Sequence, residues 1–179
     1  MGKLARVDSS WTLFLDRDGV INERVFGGYI LNYEDFLFKK GVLETSKELF
    51  GKFARVIVVT NQQCVSKGLI SIDALSLLHQ KMVQDFQDAG ARIDHVYAAI
   101  EGKDKAPFMR KPNSKMAELA QKEFPEIDFN KSIMVGDTDG DLNFGKNLGM
   151  KTVLIRSEEI ISVGPDLELD QLGDLIEFI

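Results

Sequence analysis

Cysteine is almost missing from this chain: Cys64 stands alone among 179 residues. That excludes an internal disulfide framework and any all-cysteine zinc site, and it fits a reducing compartment. Histidine is nearly as scarce. His79 and His95 belong to no metal-ligand spacing, and both are expected to be structural or surface residues. No apolar stretch approaches the length needed to cross a bilayer. The opening segment, Met1 to Ser10, carries Lys3, Arg6 and Asp8 where a signal peptide would have its apolar core. Positive charge is in deficit, with 22 Lys+Arg against 28 Asp+Glu for a net charge of -6. Such a surface attracts neither nucleic acid nor an anionic membrane. A cytoplasmic location without either partner is therefore expected. Internal repeats, low-complexity tracts and Pro/Ser-rich linkers are also absent, so residues 1–179 are expected to form one domain with a real core.

What is present is an alternation of short apolar runs with longer segments of helical period, the pattern of βαβ units around a mostly parallel sheet. Strands are expected at Trp11 to Leu15, Val56 to Thr60, Val96 to Ile100, Ile133 to Val135 and Thr152 to Ile155. Helical patterns follow Gly41, run from Ile72 to about Gly90 behind the N-cap candidate Ser71, begin near Ser114, and end near Gly149. An amphipathic tail carries Leu172, Leu175, Ile176 and Phe178. The fold class expected is α/β, a doubly wound, Rossmann-like sheet. Its largest irregular pieces are Val20 to Lys40 and the charged loop Glu101 to Arg110, too little for a large cap domain.

Open α/β sheets bind ligands at the carboxyl ends of their strands, and four groups of polar residues fall there. Asp16 and Asp18 follow the first strand, Thr60 and Asn61 end the second, Lys111 follows the third after a loop, and Asp137 follows the fourth. Two carboxylates at i and i+2 leave an extended backbone on one side, and Gly19 permits the sharp turn after them. An acid pair, a hydroxyl, an ammonium and a further acid make a set that can hold a divalent cation and a phosphoryl group.

In their order, Asp16-Arg17-Asp18-Gly19, Thr60-Asn61-Gln62, Arg110-Lys111-Pro112 and Gly136-Asp137 with Asp141 resemble the motifs of the haloacid dehalogenase superfamily of phosphohydrolases, over nearly the whole chain. Asn22, Gly28-Tyr29-Ile30, Asp35-Phe36 and Lys67-Gly68 make it most similar to the branch containing heptose-bisphosphate and histidinol-phosphate phosphatases. The resemblance implies that Asp16 is a nucleophile forming an aspartyl-phosphate and that Asp18 is the general acid and base. It implies Mg²⁺ held by the Asp16 carboxylate, the Asp18 backbone carbonyl and Asp137, with Asp141 supporting the metal shell. Thr60, Asn61 and Lys111 are then phosphate-binding residues, and Asn22, Tyr29, Lys67 and Arg110 substrate contacts. Asp18 must be protonated when substrate arrives, and crowding of the two carboxylates is expected to raise the proton affinity of one.

Departures from the branch narrow this reading. The zinc loop that often precedes Arg-Lys-Pro is missing here, so zinc is not expected. Cys64 stands where glycine is usual and is expected to be a buried packing residue. Thr138 follows Asp137 in place of a lysine. The implied activity is Mg²⁺-dependent hydrolysis of a small phosphomonoester, first a sugar phosphate such as D-glycero-D-manno-heptose 1,7-bisphosphate, second histidinol phosphate. A phosphoryl-sensing, receiver-like module is the alternative of another class. Its phosphoacceptor would lie on a later strand than the acid pair, whereas here Asp16 and Asp18 come first.

Overall fold

The computed structural model describes residues 3–102 and 109–179, and most of the charged loop from Glu101 to Arg110 lies outside the described residues. Six parallel strands make one sheet in the order β3-β2-β1-β4-β5-β6. They are β1 (Thr12–Leu15), β2 (Arg55–Asn61), β3 (His95–Ala99), β4 (Ser132–Gly136), β5 (Lys151–Ile155) and β6 (Leu167–Leu169). Every residue of β1 and β4 is buried, as a strand covered on both faces requires, which is why these segments are apolar without a break at alternate positions.

Side-chain alternation splits the core into two layers. Leu13, Leu15, Val56, Val58, Ile133 and Val135 face one side, where α1 (Val42–Phe50) and α2 (Ile72–Asp88) deliver Leu49, Phe50, Leu78, Met82 and Phe86. Phe14, Ile57, Val59 and Met134 face the other, against Met116, Ala117 and Ala120 of α3 (Lys115–Glu123) and Phe144 of α4 (Asp139–Asn147). Each fully buried large side chain contributes about 2 kcal/mol relative to exposure. Ser71 caps α2, accepting from the Ala74 amide at 3.1 Å, so the expected start of this helix is the observed one. The backbone of α4 presses on the sheet: a Cβ at Gly145 would lie 2.8 Å from Thr152 Cγ2 and 2.9 Å from Met134 Cβ.

This is the expected α/β, doubly wound, parallel arrangement. The chain winds outward from β1 to β3 with its helices on one face, and from β4 to β6 with α3 and α4 on the other. The direction therefore reverses between β1 and β4, and a crevice opens at their carboxyl ends, where such sheets bind ligands. One element goes beyond the sequence expectation: β6 has three residues, too few for alternation to stand out. The amphipathic tail is a 3₁₀ helix, Leu172–Phe178, which buries Leu172 and Leu175 and packs Ile176 and Phe178 against the core. None of the described helices is long and apolar enough to cross a membrane.

Candidate active site

The turn after β1 sets the geometry. Asp16 continues the strand, its amide bonded to Val135 O of β4 at 2.9 Å. Gly19 then adopts φ +91°, and a Cβ there would fall 2.2 Å from Asp137 Oδ2. Only a residue without a side chain lets this turn approach the end of β4 so closely.

Asp16 is held through one oxygen. Its Oδ1 accepts from the Arg17 amide at 2.7 Å and from Lys111 Nζ at 2.8 Å, which leaves Oδ2 without a protein donor among the described residues. Lys111 is buried, and its ammonium also donates to Asp141 Oδ1 at 2.6 Å and Val59 O at 2.6 Å. Burial works against this charge, but Asp141 and Asp16 outweigh it and hold the Lys111 pKa above its ordinary value. The loop bearing Lys111 is fixed by Asn61, whose Oδ1 accepts from the Lys111 amide at 2.9 Å. Burial, reinforced by Asp141, pushes Asp16 up to about 8, with Lys111 opposing. Asp137 is pushed up to about 6, again by burial and Asp141.

Asp16, Asp137 and Asp141 each offer a carboxylate oxygen, and these atoms lie within 4.8 Å of one another. Asp137 Oδ1 is buried with no hydrogen-bond partner. An orphaned carboxylate oxygen among hard oxygen donors fits a small divalent cation such as Mg²⁺. Asp141 thus lies nearer this cluster than a purely supporting role requires. Its other oxygen, Oδ2, accepts from the Thr138 amide at 3.1 Å and hydroxyl at 2.6 Å, closing a capping box at the start of α4.

Asp18 turns the other way. Its oxygens accept from Arg17 Nη2 at 3.0 Å, Asn22 Nδ2 at 2.9 Å and Gln62 Nε2 at 2.8 Å. Burial raises its pKa, but Arg17, Asn22 and Gln62 more than offset this and hold it below the ordinary value. The raised proton affinity therefore belongs to Asp16, through burial and Asp141 far more than through crowding by Asp18, and Asp18 rests ionised. The difference arises because Asp18 is ringed by donors, whereas Asp16 faces Asp141 and Asp137 as well as Lys111. Arg17 is fully buried, and its Nη1 lies 2.9 Å from His79 Nε2. His79 is thus a buried partner of the acid pair's arginine, and burial followed by Arg17 pushes it down to about 3.

A pocket of about 440 Å³ lies over these groups. Asp16, Asp18, Thr60 and Asn61 form its floor, while Tyr29, Lys67 and Arg110 line its wall. Tyr29 OH accepts from Lys67 Nζ at 2.8 Å and Gln63 Nε2 at 2.7 Å. Asn22, expected among the substrate contacts, is instead fully buried and bonded to Asp18 and Glu23 O. Its short side chain reaches back under the turn rather than out to the pocket. Cys64 is buried against Ile70 and Leu75, and burial raises its thiol pKa.

Sequence reasoning passed over Gln62, which bridges Asp18 and Thr60 Oγ1 (2.9 Å), and Arg24, whose Nη1 donates to Asp137 Oδ2 at 3.1 Å. Gln62 was in view within the Thr60-Asn61-Gln62 motif. Arg24 had no signal beyond being a cation on the irregular segment above the strand ends.

Comparison with known proteins gives a consistent picture. A HAD-hydrolase-like family model matches residues 108–167. The chain is 37% identical over 150 residues to a D-glycero-alpha-D-manno-heptose-1,7-bisphosphate 7-phosphatase of Burkholderia mallei, covering 80% of this chain and 78% of that one. It is 30% identical over 150 residues to a D-glycero-beta-D-manno-heptose-1,7-bisphosphate 7-phosphatase of Helicobacter pylori, covering 83% and 85%. Among solved structures, the D,D-heptose 1,7-bisphosphate phosphatase of B. bronchiseptica, complexed with magnesium and phosphate, superposes with a TM-score of 0.74 at 25% identity, covering 80% and 79%.

Proposed function

Since this chain belongs to the haloacid dehalogenase-like hydrolases and is a phosphatase, we propose that it hydrolyses a small sugar phosphate, first D-glycero-D-manno-heptose 1,7-bisphosphate, through an aspartyl-phosphate on Asp16 and with Mg²⁺. The observation that carries this reading is the one-sided hold on Asp16. Lys111 and the Arg17 amide both bind Oδ1, so Oδ2 is the oxygen left for in-line attack on phosphorus.

In the first step Asp16 Oδ2 bonds to phosphorus as the ester P–O bond breaks. Asp18 hands a proton to the leaving oxygen. Because its donors keep Asp18 ionised at rest, that proton arrives with the substrate, whose phosphomonoester titrates at about pH 6. In the second step Asp18 takes a proton from water as the water oxygen bonds to phosphorus and the Asp16 Oδ2–P bond breaks, which releases phosphate and restores the Asp16 carboxylate. Asp16, the Asp18 backbone carbonyl and Asp137 would hold Mg²⁺, whose chemistry there is to offset phosphoryl charge. Lys111 supplies fixed positive charge from the opposite side of Asp16, and Thr60 and Asn61 complete the phosphate cradle. Asp141 holds Lys111 in place. Tyr29, Lys67 and Arg110 contact the leaving group, which loops cover in a single domain of residues 1–179. Relatives named for opposite anomers match over 150 residues each, at 37% and 30% identity, so the anomer follows from neither.

The test is phosphate release from a panel of sugar phosphates, histidinol phosphate and simple phosphomonoesters, with and without Mg²⁺. Turnover is expected to need the metal and to fall at least about a thousandfold in Asp16→Asn. Equal turnover in that variant would remove Asp16 as nucleophile.

A further inference from the structure

The proposed Mg²⁺ site depends on how the Asp137 carboxylate is turned. The terminal torsion of an aspartate is broad and nearly two-fold, so packing alone fixes it weakly. Here one oxygen is clamped. Asp137 Oδ2 accepts from Arg24 Nη1 at 3.1 Å, and the Gly19 backbone stands so close to the same oxygen that a Cβ would lie 2.2 Å away. Oδ1 is the oxygen left buried and unpartnered. Arg24 is itself braced: its Nη2 lies 2.9 Å from Glu159 Oε1, and its guanidinium lies 5.4 Å from the centre of the Phe26 ring.

We propose that Arg24, braced by Glu159, is a positioning residue that pins Asp137 Oδ2 and so presents Oδ1 to the divalent cation. The relay joins three parts of the chain, since Arg24 lies on the segment after β1, Asp137 ends β4, and Glu159 follows β5. A bare guanidinium beside the site would repel Mg²⁺ and weaken its binding. Glu159 pairs with that charge at 2.9 Å and opposes the repulsion, which leaves the orientation of the carboxylate as the effect assigned to Arg24. Outer-shell partners of this kind alter metal affinity about 10- to 100-fold when removed.

The inference rests on the Mg²⁺ reading above, and one titration separates the two. Mg²⁺ binding is measured by isothermal calorimetry, without substrate, for wild type, Arg24→Ala, Arg24→Gln and Glu159→Gln, with far-UV circular dichroism confirming that each is folded. Arg24→Ala is expected to weaken Mg²⁺ binding about tenfold, with Arg24→Gln, which keeps an N–H donor, in between. Glu159→Gln, which frees the brace and exposes the guanidinium charge, is expected to weaken binding too. Unchanged or tighter binding in Arg24→Ala would overturn the positioning role while leaving the metal site standing. Wild type that binds no Mg²⁺ would overturn both. If Arg24→Ala fails to fold, wild-type affinity in Arg24→Gln and Glu159→Gln overturns the role.

Discussion

At the scale of single residues, the acid pair is asymmetric because its two members face different neighbours. Asp16 looks toward Asp137 and Asp141, while Asp18 looks into a ring of donors anchored by Arg17. Behind that ring sits His79, buried and pushed down to about 3 from its ordinary 6.5. The unfolded chain therefore binds a proton between those values that the folded chain refuses. Its contribution to stability is complete above about pH 6.5 and is lost as pH falls toward 3. Urea unfolding at pH 7.5 and pH 5 is expected to show wild type losing up to about 1.4 kcal/mol more per pH unit than His79→Gln. Parallel losses in the two proteins would refute this. The sequence offered no hint of it, since an isolated histidine on a helix looks the same whether its partner is water or a buried guanidinium.

Among the elements, α4 is the most constrained. It starts on a capping box, shares Asp141 with Lys111, and lies close enough to β4 and β5 that Gly145 has no room for a side chain. Gly145→Val is expected to destabilise the protein by about 2 kcal/mol, as read from denaturant midpoints, because overpacking against Thr152 and Met134 outweighs the small gain in helix propensity over glycine. A midpoint matching wild type would mean that α4 can move off the sheet at little cost. Most of the elements were legible from sequence because burial on both faces forces unbroken apolar strands, and because Ser71 caps α2 locally. β6 was not, since three residues paired with β5 carry no pattern of their own, and the tail's apolar residues showed that it packs without showing that it does so as a 3₁₀ helix. The same division holds at the site. Asp16, Asp18, Thr60 and Asp137 stood out because they lie at or just after strand ends, and Lys111 because it stands in the Arg110-Lys111-Pro112 motif, whereas Arg24 and the inward turn of Asn22 depend on how the irregular segment after β1 folds back.

For the molecule as a whole, the sheet's reversal between β1 and β4 gathers three buried acids from two segments, Asp16 after β1 and Asp137 and Asp141 after β4, and without a cation between them they repel. Asp16 and Asp137 bind protons more tightly folded than unfolded. Without a bound cation the fold therefore loses stability as pH rises through about 6 and about 8, and a cation binding there would have to displace protons at the lower end. Saturating Mg²⁺ is expected to raise the melting temperature, and to raise it more at pH 8.5 than at pH 6. At a hundred times its dissociation constant a ligand adds about 2.7 kcal/mol. Equal shifts at the two pH values, or a full shift in Asp137→Asn, would contradict this.

Asp141 closes the helix cap with one oxygen and holds Lys111 with the other. For a lineage under drift, such a residue is a pleiotropic position. Lys67 and Arg110, on the pocket wall, carry no such double load. Any replacement at 141 has to serve the helix cap and the buried ammonium at once, so change in this scaffold should arise around it and not through it.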